Sequence, residues 1–287
     1  MKVKNITVIN LSGKIKKEDL SKIEKDISFI QNKYGYVKIS SIRNTFSNPD
    51  PKFLAETLNK AIADDGIDLI MVAKGGVRSI ELIKYLNINI KLNNKKRIIG
   101  NSDFCHLAPY LNSIPNLEVF VGLNLKSFSK LDEKSIKKFD YAVLNGKLLN
   151  ISAEEVEIYK KGRFSGEIIP GNDMALLNII AANPKLINFE HKILALENHT
   201  EKDYRMIKYW IYQFKIRGIF KKINGLILGD FPLVEEEKET LKNEILDICK
   251  EYNFPILKIQ SFGEGNKKSP FKFKGISEYN GKDLKIS

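Results

Sequence analysis

Apolar runs of strand length alternate with amphipathic stretches through the first 110 residues, and this alternation restricts the chain more than any other feature. Such a pattern calls for βαβ units, because parallel strands need a crossover where antiparallel ones need only a tight turn. The runs predict strands over 6–10, 67–73 and 97–99. Between them Leu20, Ile23, Ile27 and Ile30 recur at helical spacing, and Leu54, Leu58 and Ala61 do so again behind Asp50-Pro51. Each helix therefore has one face to lay on a parallel sheet.

Two of these strands end in glycine. Lys74-Gly75-Gly76 follows the run 67–73, which puts glycines at the carboxyl edge where open α/β sheets bind ligands. The run 97–99 leads into Gly100-Asn101-Ser102-Asp103, a sharp turn able to present a serine hydroxyl, with the Asp103 amide free to point at a developing oxyanion. Ser102 is thus the first candidate nucleophile. The same short motif also occurs in ordinary turns that only cap a helix.

From 112 to 172 the pattern loosens. Short strands are expected at 118–122 and 140–144, and the Gly- and Pro-bearing stretch 161–173 reads as part of a linker. Beyond it, helices near 173–182, 202–217 and 236–252 alternate with apolar strands at 193–196, 225–229 and 255–259. The expected architecture is two-domain α/β: a parallel-sheet N-terminal domain over 1–150, a linker over 151–172, and a smaller mixed α/β C-terminal domain over 173–287.

Of the 287 residues 43% are hydrophobic, enough for a sizeable core. The formal charge of +12 invites a nucleic-acid partner, but lysine groups such as 95–96, 137–138, 221–222 and 267–268 are scattered among acids and accompany no recognised nucleic-acid module. A solvated lysine-rich surface is the expectation, with no nucleic-acid partner. No apolar run approaches the ~18 residues that cross a bilayer, and 1–13 lacks the apolar region and cleavage site of a secretory signal, so neither membrane nor export is expected. Cys105 and Cys249 stand far apart, without metal-ligand spacing or a disulfide framework, which fits the cytoplasm.

Taken in order, these segments resemble the LD-carboxypeptidase family of serine peptidases, which includes the microcin C immunity proteins. Lys74-Gly75-Gly76 resembles the family's Arg-Gly-Gly turn, and Gly100-Asn101-Ser102-Asp103 its Gly-Tyr-Ser-Asp nucleophile turn. Gly171-Asn172 with Ala175-Leu176-Leu177 resembles the segment that opens the second domain; Leu196-Glu197-Asn198 is similar to a strand ending in Leu-Glu-Asp; and 216–231 resembles a Gly- and Phe-spaced stretch of the C-terminal domain. The resemblance implies a triad split between domains, with Ser102 as nucleophile and Glu197 as the glutamate that orients the base. It implies backbone amides of Gly76 and Asp103 as oxyanion donors, a small peptide as substrate or ligand, no metal or organic cofactor, and a homodimer as in many members.

The chain departs from the family at two places. Where the family has a Phe-Gly-His-Gly-like turn, this sequence reads Phe262-Gly263-Glu264-Gly265, so glutamate occupies the place of the catalytic histidine. A serine hydroxyl does not attack unaided at neutral pH. Three outcomes stay open: the fold and cleft persist without catalysis; Glu264 takes the proton, with its pKa raised by burial or by Glu197; or His199 or His106 substitutes. His106, four residues past Ser102, would lie one helical turn down the same face, and His191 has no assigned role. Second, Val77-Arg78 stands where the family has Tyr-Gly, and Arg78 is a candidate for binding a substrate carboxylate through its guanidinium fork.

Overall fold

The computed structural model describes residues 2–198, 201–263 and 265–287. Five strands come first: β1 (Asn5–Ile9), β2 (Lys38–Ser41), β3 (Leu69–Val72), β4 (Lys96–Gly100) and β5 (Leu117–Val121). All pair in parallel, in the spatial order 2-1-3-4-5. The order reverses between β1 and β3, and the crevice outside the carboxyl ends of strands at such a reversal is where doubly wound sheets hold ligands.

The helix Pro51–Ala63 starts where expected, with Pro51 in its first turn and the Asp50 carboxylate accepting the Phe53 amide at 2.7 Å. The helix Lys17–Lys33 has a second task. On its sheet-facing side, Asp26 accepts the amides of Ser127 and Ser129 at 2.7 and 2.8 Å, and Asp19 pairs with Lys74 at 2.9 Å and Lys126 at 2.6 Å. Burial opposes ionisation of Asp19, but the two ammonium groups outweigh it and hold its carboxyl down at about 2. One helix thereby anchors the loops that follow β3 and β5.

Nine more strands follow: β6 (Leu149–Ile151), β7 (Val156–Lys160), β8 (Phe164–Asn172), β9 (Ile193–Glu197), β10 (Gly225–Asp230), β11 (Ile256–Gly263), β12 (Phe271–Lys272), β13 (Ile276–Tyr279) and β14 (Leu284–Ile286). Eight form a second sheet ordered β6-β14-β13-β8-β9-β10-β11-β7, parallel from β8 to β11 and antiparallel at both flanks. Strand β12 instead returns to the first sheet and pairs with β5, which stitches the two halves together. The helices Asp173–Ala182, Tyr204–Ile216 and Glu235–Ile248 belong to this half. No helix among the described residues is long and apolar enough to cross a membrane.

The fold is α/β with two sheets, as expected, and differs from the sequence reading at two points. Much of the stretch 151–172, read as a linker, is strand, and β8 sits between β13 and β9 in the second sheet. Its glycines and Pro170 suggested a loop. Yet β13 pairs only with Phe164 to Glu167, so the sheet asks no ladder hydrogen bond of the proline on that side. The second difference is 140–144, where the expected strand is a π-helical turn, Asp140–Leu144, continuing the helix Glu133–Phe139. A short buried apolar run does not distinguish strand from helix by its pattern alone.

Candidate active site

Strand β4 ends at Gly100, where a Cβ would lie 2.9 Å from the Phe104 Cβ and run into its ring, so only glycine lets the chain fold back on itself. Asn101 stays extended, its amide donating to Asn124 Oδ1 at 2.9 Å while Asn124 Nδ2 donates back to the Asn101 carbonyl at 3.4 Å. Ser102 then adopts φ +63°, a left-handed conformation that costs a residue with a Cβ about 1–2 kcal/mol. The 3₁₀ turn Ser102–His106 follows directly.

A half-buried serine on a strained strand-to-helix turn is the geometry that exposes a nucleophilic hydroxyl. Gly75 packs directly against it: a Cβ on Gly75 would stand 2.9 Å from Ser102 Cβ and 3.0 Å from Oγ. Gly76, the expected oxyanion donor, closes on the loop after β1, with its missing Cβ 2.7 Å from both the Cβ and the carbonyl oxygen of Ser12. The two glycines thus bring the ends of β1, β3 and β4 together at the carboxyl edge.

Asp103 binds this assembly. Its buried carboxylate accepts the Ser79 amide at 2.9 Å and faces His106 Nδ1 at 3.2 Å, while Ser79 Oγ donates to the Asp103 carbonyl. Burial opposes its ionisation, but the His106 ring and the hydrogen bond from the Ser79 amide keep the carboxyl below its usual range. The Asp103 amide lies in the first turn of the 3₁₀ segment, where backbone donors have no intrahelical acceptor.

His106 is not bonded to Ser102. Its Nδ1 donates to the Asp103 carbonyl at 2.9 Å, and its Nε2 accepts from the Asn178 amide at 3.2 Å, so both ring nitrogens are engaged. The reason is the 3₁₀ turn. With three residues per turn, position i+4 is rotated about 120° from position i, whereas i+3 lies directly above it. The residue that stacks on Ser102 is therefore Cys105, whose fully buried thiol contacts the backbone of Ser102 and of Asn172. Burial, and then the charge of Glu197, push that thiol up, so it stays protonated and inert.

Glu197 enters from the other sheet. It is the last residue of β9, fully buried and opposite Asn172 in the β8–β9 register, with Asn172 Nδ2 donating to its carbonyl at 3.3 Å. A Cβ on Gly229 would lie 2.9 Å from its own Cβ, so β10 needs glycine there. The turn Ser102–His106 packs on β8 and on the helix Asp173–Ala182, which brings the carboxyl edges of both sheets to one place. His191 lies in the turn two residues before the same strand, some six residues or about 20 Å from Glu197, and is remote from the site.

Arg78 lies at the surface, just before the 3₁₀ turn Ser79–Tyr85. Its backbone has φ +154°, and its guanidinium forks onto Glu81 at 3.0 and 3.1 Å at the surface, so a substrate carboxylate would compete with Glu81. Glu264 and His199 lie outside the described residues. The flanks of 264 are nonetheless held: Asp132 N donates to the Asn266 carbonyl at 3.3 Å, Lys268 N donates to Ser135 Oγ at 2.6 Å, and the Lys138 ammonium bonds Ser261, Ser269 and Glu155.

One buried acid escaped the sequence reading. Asp173, fully buried, accepts the Met174 amide at 2.6 Å and Asn198 Nδ2 at 2.7 Å on Oδ1, while Oδ2 has no partner. An acid just behind the Asn172 cap reads as an ordinary first-turn residue favoured by the helix dipole. Only the packing of β9 beside it reveals its burial.

A serine on a strained turn at one sheet's carboxyl edge and a buried glutamate on a strand of the second sheet thus belong to one region of an α/β fold with two sheets. Comparison with known proteins identifies the family. The LD-carboxypeptidase N-terminal domain family matches residues 6–122 and the LD-carboxypeptidase C-terminal domain family matches 165–275, and the chain belongs to the LD-carboxypeptidase family. It is 24% identical over 215 residues to the microcin C7 self-immunity protein MccF of Escherichia coli, a match spanning 63% of this chain and 61% of that protein. The fold matches that of an MccF-like protein from Streptococcus pneumoniae solved in complex with AMP, at TM-score 0.84 and 21% identity over 99% of both chains. It also matches muramoyltetrapeptide carboxypeptidase from Oxalobacter formigenes, at TM-score 0.83 and 17% identity over 99% of this chain and 98% of that one.

Proposed function

We propose that this chain is a serine hydrolase of the LD-carboxypeptidase type, cutting an LD peptide bond in a muropeptide or processing a peptide-nucleotide conjugate. The observation that carries this reading is the left-handed Ser102 on its glycine-walled turn, because backbone strain of that kind persists where it serves a function. In the proposed reaction Ser102 Oγ attacks the scissile carbonyl and Glu264 accepts its proton, directly or through water. Glu197 tunes that transfer electrostatically, and the amides of Gly76 and Asp103 stabilise the oxyanion. Arg78, once released from Glu81, holds a substrate carboxylate. The protein works in the cytoplasm as a homodimer, with the two family domains as its folding units.

A second reading is favoured by one observation: neither His106 nor His191 is placed to take the serine proton. On this reading the cleft binds a peptide or nucleotide conjugate without cutting it, and the AMP complex of the Streptococcus pneumoniae protein supports a small anionic ligand. D-alanine release from a panel of LD-tetrapeptides between pH 4 and 9 separates the two. Turnover by the wild type that disappears in Glu264→Ala supports a carboxylate base. Silence in the wild type, with activity created by Glu264→His, supports the binding reading.

A further inference from the structure

Past Gly100, the chain leaving β4 loses its partner on the β3 side. The two strands pair in parallel register, with Arg97 N donating to the Asp68 carbonyl at 2.9 Å, and the same register carried on would bring Asn101 N to the Val72 carbonyl. That carbonyl is taken. The chain that leaves β5 crosses over the end of β4 to reach β3, where Leu125 N donates to the Val72 carbonyl at 2.9 Å and Lys126 N to the Ala73 carbonyl at 2.8 Å. Asn101 is buried, so its peptide groups need other partners.

Asn124 supplies them. Its Oδ1 accepts the Asn101 amide at 2.9 Å and its Nδ2 donates to the Asn101 carbonyl at 3.4 Å, so one carboxamide holds the peptide units on both sides of the Asn101 Cα. The second of these units leads into Ser102. Its tilt sets ψ of Asn101, at 171°, and φ of Ser102, at +63°.

The half-buried Asn124 is itself held from behind. It stands between the buried Leu123 and Leu125, Lys126 pairs with Asp19 at 2.6 Å, and Asp26 accepts the amides of Ser127 and Ser129. It also lies beside the serine hydroxyl: the point where a Cβ on Gly75 would fall is 3.0 Å from Ser102 Oγ and 3.6 Å from Asn124 Nδ2.

We propose that Asn124 is a positioning residue: its carboxamide replaces the sheet rung that the chain lacks beyond Gly100, and it holds the Asn101–Ser102 peptide at the angle that presents Oγ beside Gly75. Its effect on reactivity rests on the reading of Ser102 as the nucleophile, whereas its hold on the turn does not.

Two readouts on the intact protein separate these. The first is hydrogen exchange of the Asn101 amide, followed by NMR at neutral pH. Asn124→Ala removes the acceptor and should speed that exchange at least about tenfold, whereas Asn124→Asp keeps the acceptor and should leave it close to wild type. The second is the rate at which a fluorophosphonate labels Ser102. Asn124→Ala is expected to lower that rate roughly a hundredfold, the loss that a misplacement of about 1 Å can bring. Asn124→Asp sets an oxygen against the Asn101 carbonyl where a donor belongs, and should lower it at least about tenfold. With a substrate that turns over, the loss should fall on kcat and spare KM.

Unchanged Asn101 exchange in Asn124→Ala, or labelling at the wild-type rate in either variant, overturns the proposal. Should Asn124→Ala not fold, the wild type decides: a through-hydrogen-bond NMR coupling between the Asn101 nitrogen and the Asn124 side-chain carbonyl carbon supports the proposal, and its absence overturns it. A wild-type protein that the probe does not label, with Asn101 exchange raised in Asn124→Ala, would refute the hydrolase reading alone and support the hold of Asn124 on the turn.

Discussion

Replacing Ser102 by alanine is expected to lower turnover of an LD-peptide substrate at least roughly a thousandfold, because loss of the nucleophile in a serine hydrolase costs up to about 10⁶ and only binding and the oxyanion donors remain. Stability should barely move, since alanine inherits the same left-handed backbone. Ser102→Gly sharpens the contrast. Glycine adopts φ +63° freely, so this variant should lose turnover equally while gaining up to about 1 kcal/mol of stability, read as a higher urea midpoint. A serine kept only for packing would show the opposite, unchanged turnover and a loss of stability.

The largest stability effect is expected at Lys138. The residue is 8% exposed, and its ammonium reaches Glu155, Ser261 at 3.1 Å and Ser269 at 3.0 Å, and so ties β11 and the segment leading into β12 to the helix Glu133–Phe139. Burial alone would raise Glu155, but Lys138 against it holds that carboxyl below the usual range. Lys138→Met strands the carboxylate and should cost about 3–5 kcal/mol, or roughly 10 °C in Tm. Adding Glu155→Gln should recover part of the loss, because the uncompensated charge is then gone. A single variant that costs under about 1 kcal/mol would show that the network does not hold this segment. Since 263 and 265–269 flank Glu264, the same variant should impair any activity that depends on that residue.

What could be read from the sequence was what glycine and apolar spacing dictate. Gly75 and Gly100 marked turns where no Cβ fits, and the buried runs of β3 and β4 announced a parallel sheet. What could not be read depends on tertiary partners. The strand β2, half-exposed Lys-Ile-Ser-Ser at a sheet edge, carries no apolar run, and β8 is disguised by Gly166, Pro170 and Gly171. His106 moved off the nucleophile face because the turn is 3₁₀ rather than α, a difference of pitch that residue types do not signal. Asp173 and Lys138 resemble surface charges until the second sheet closes over them. The turn that carries Ser102 and the strand that ends in Glu197 were thus legible as local structure, but the buried charges around them were not.

The central claim, that Ser102 is a reactive nucleophile, is tested most directly by incubating the intact protein with a fluorophosphonate probe and locating the adduct by peptide mass spectrometry. The account predicts a single phosphonylated residue, Ser102, formed in the wild type and absent from Ser102→Ala. A wild-type protein that stays unlabelled across pH 4 to 9, or one labelled elsewhere, would contradict it.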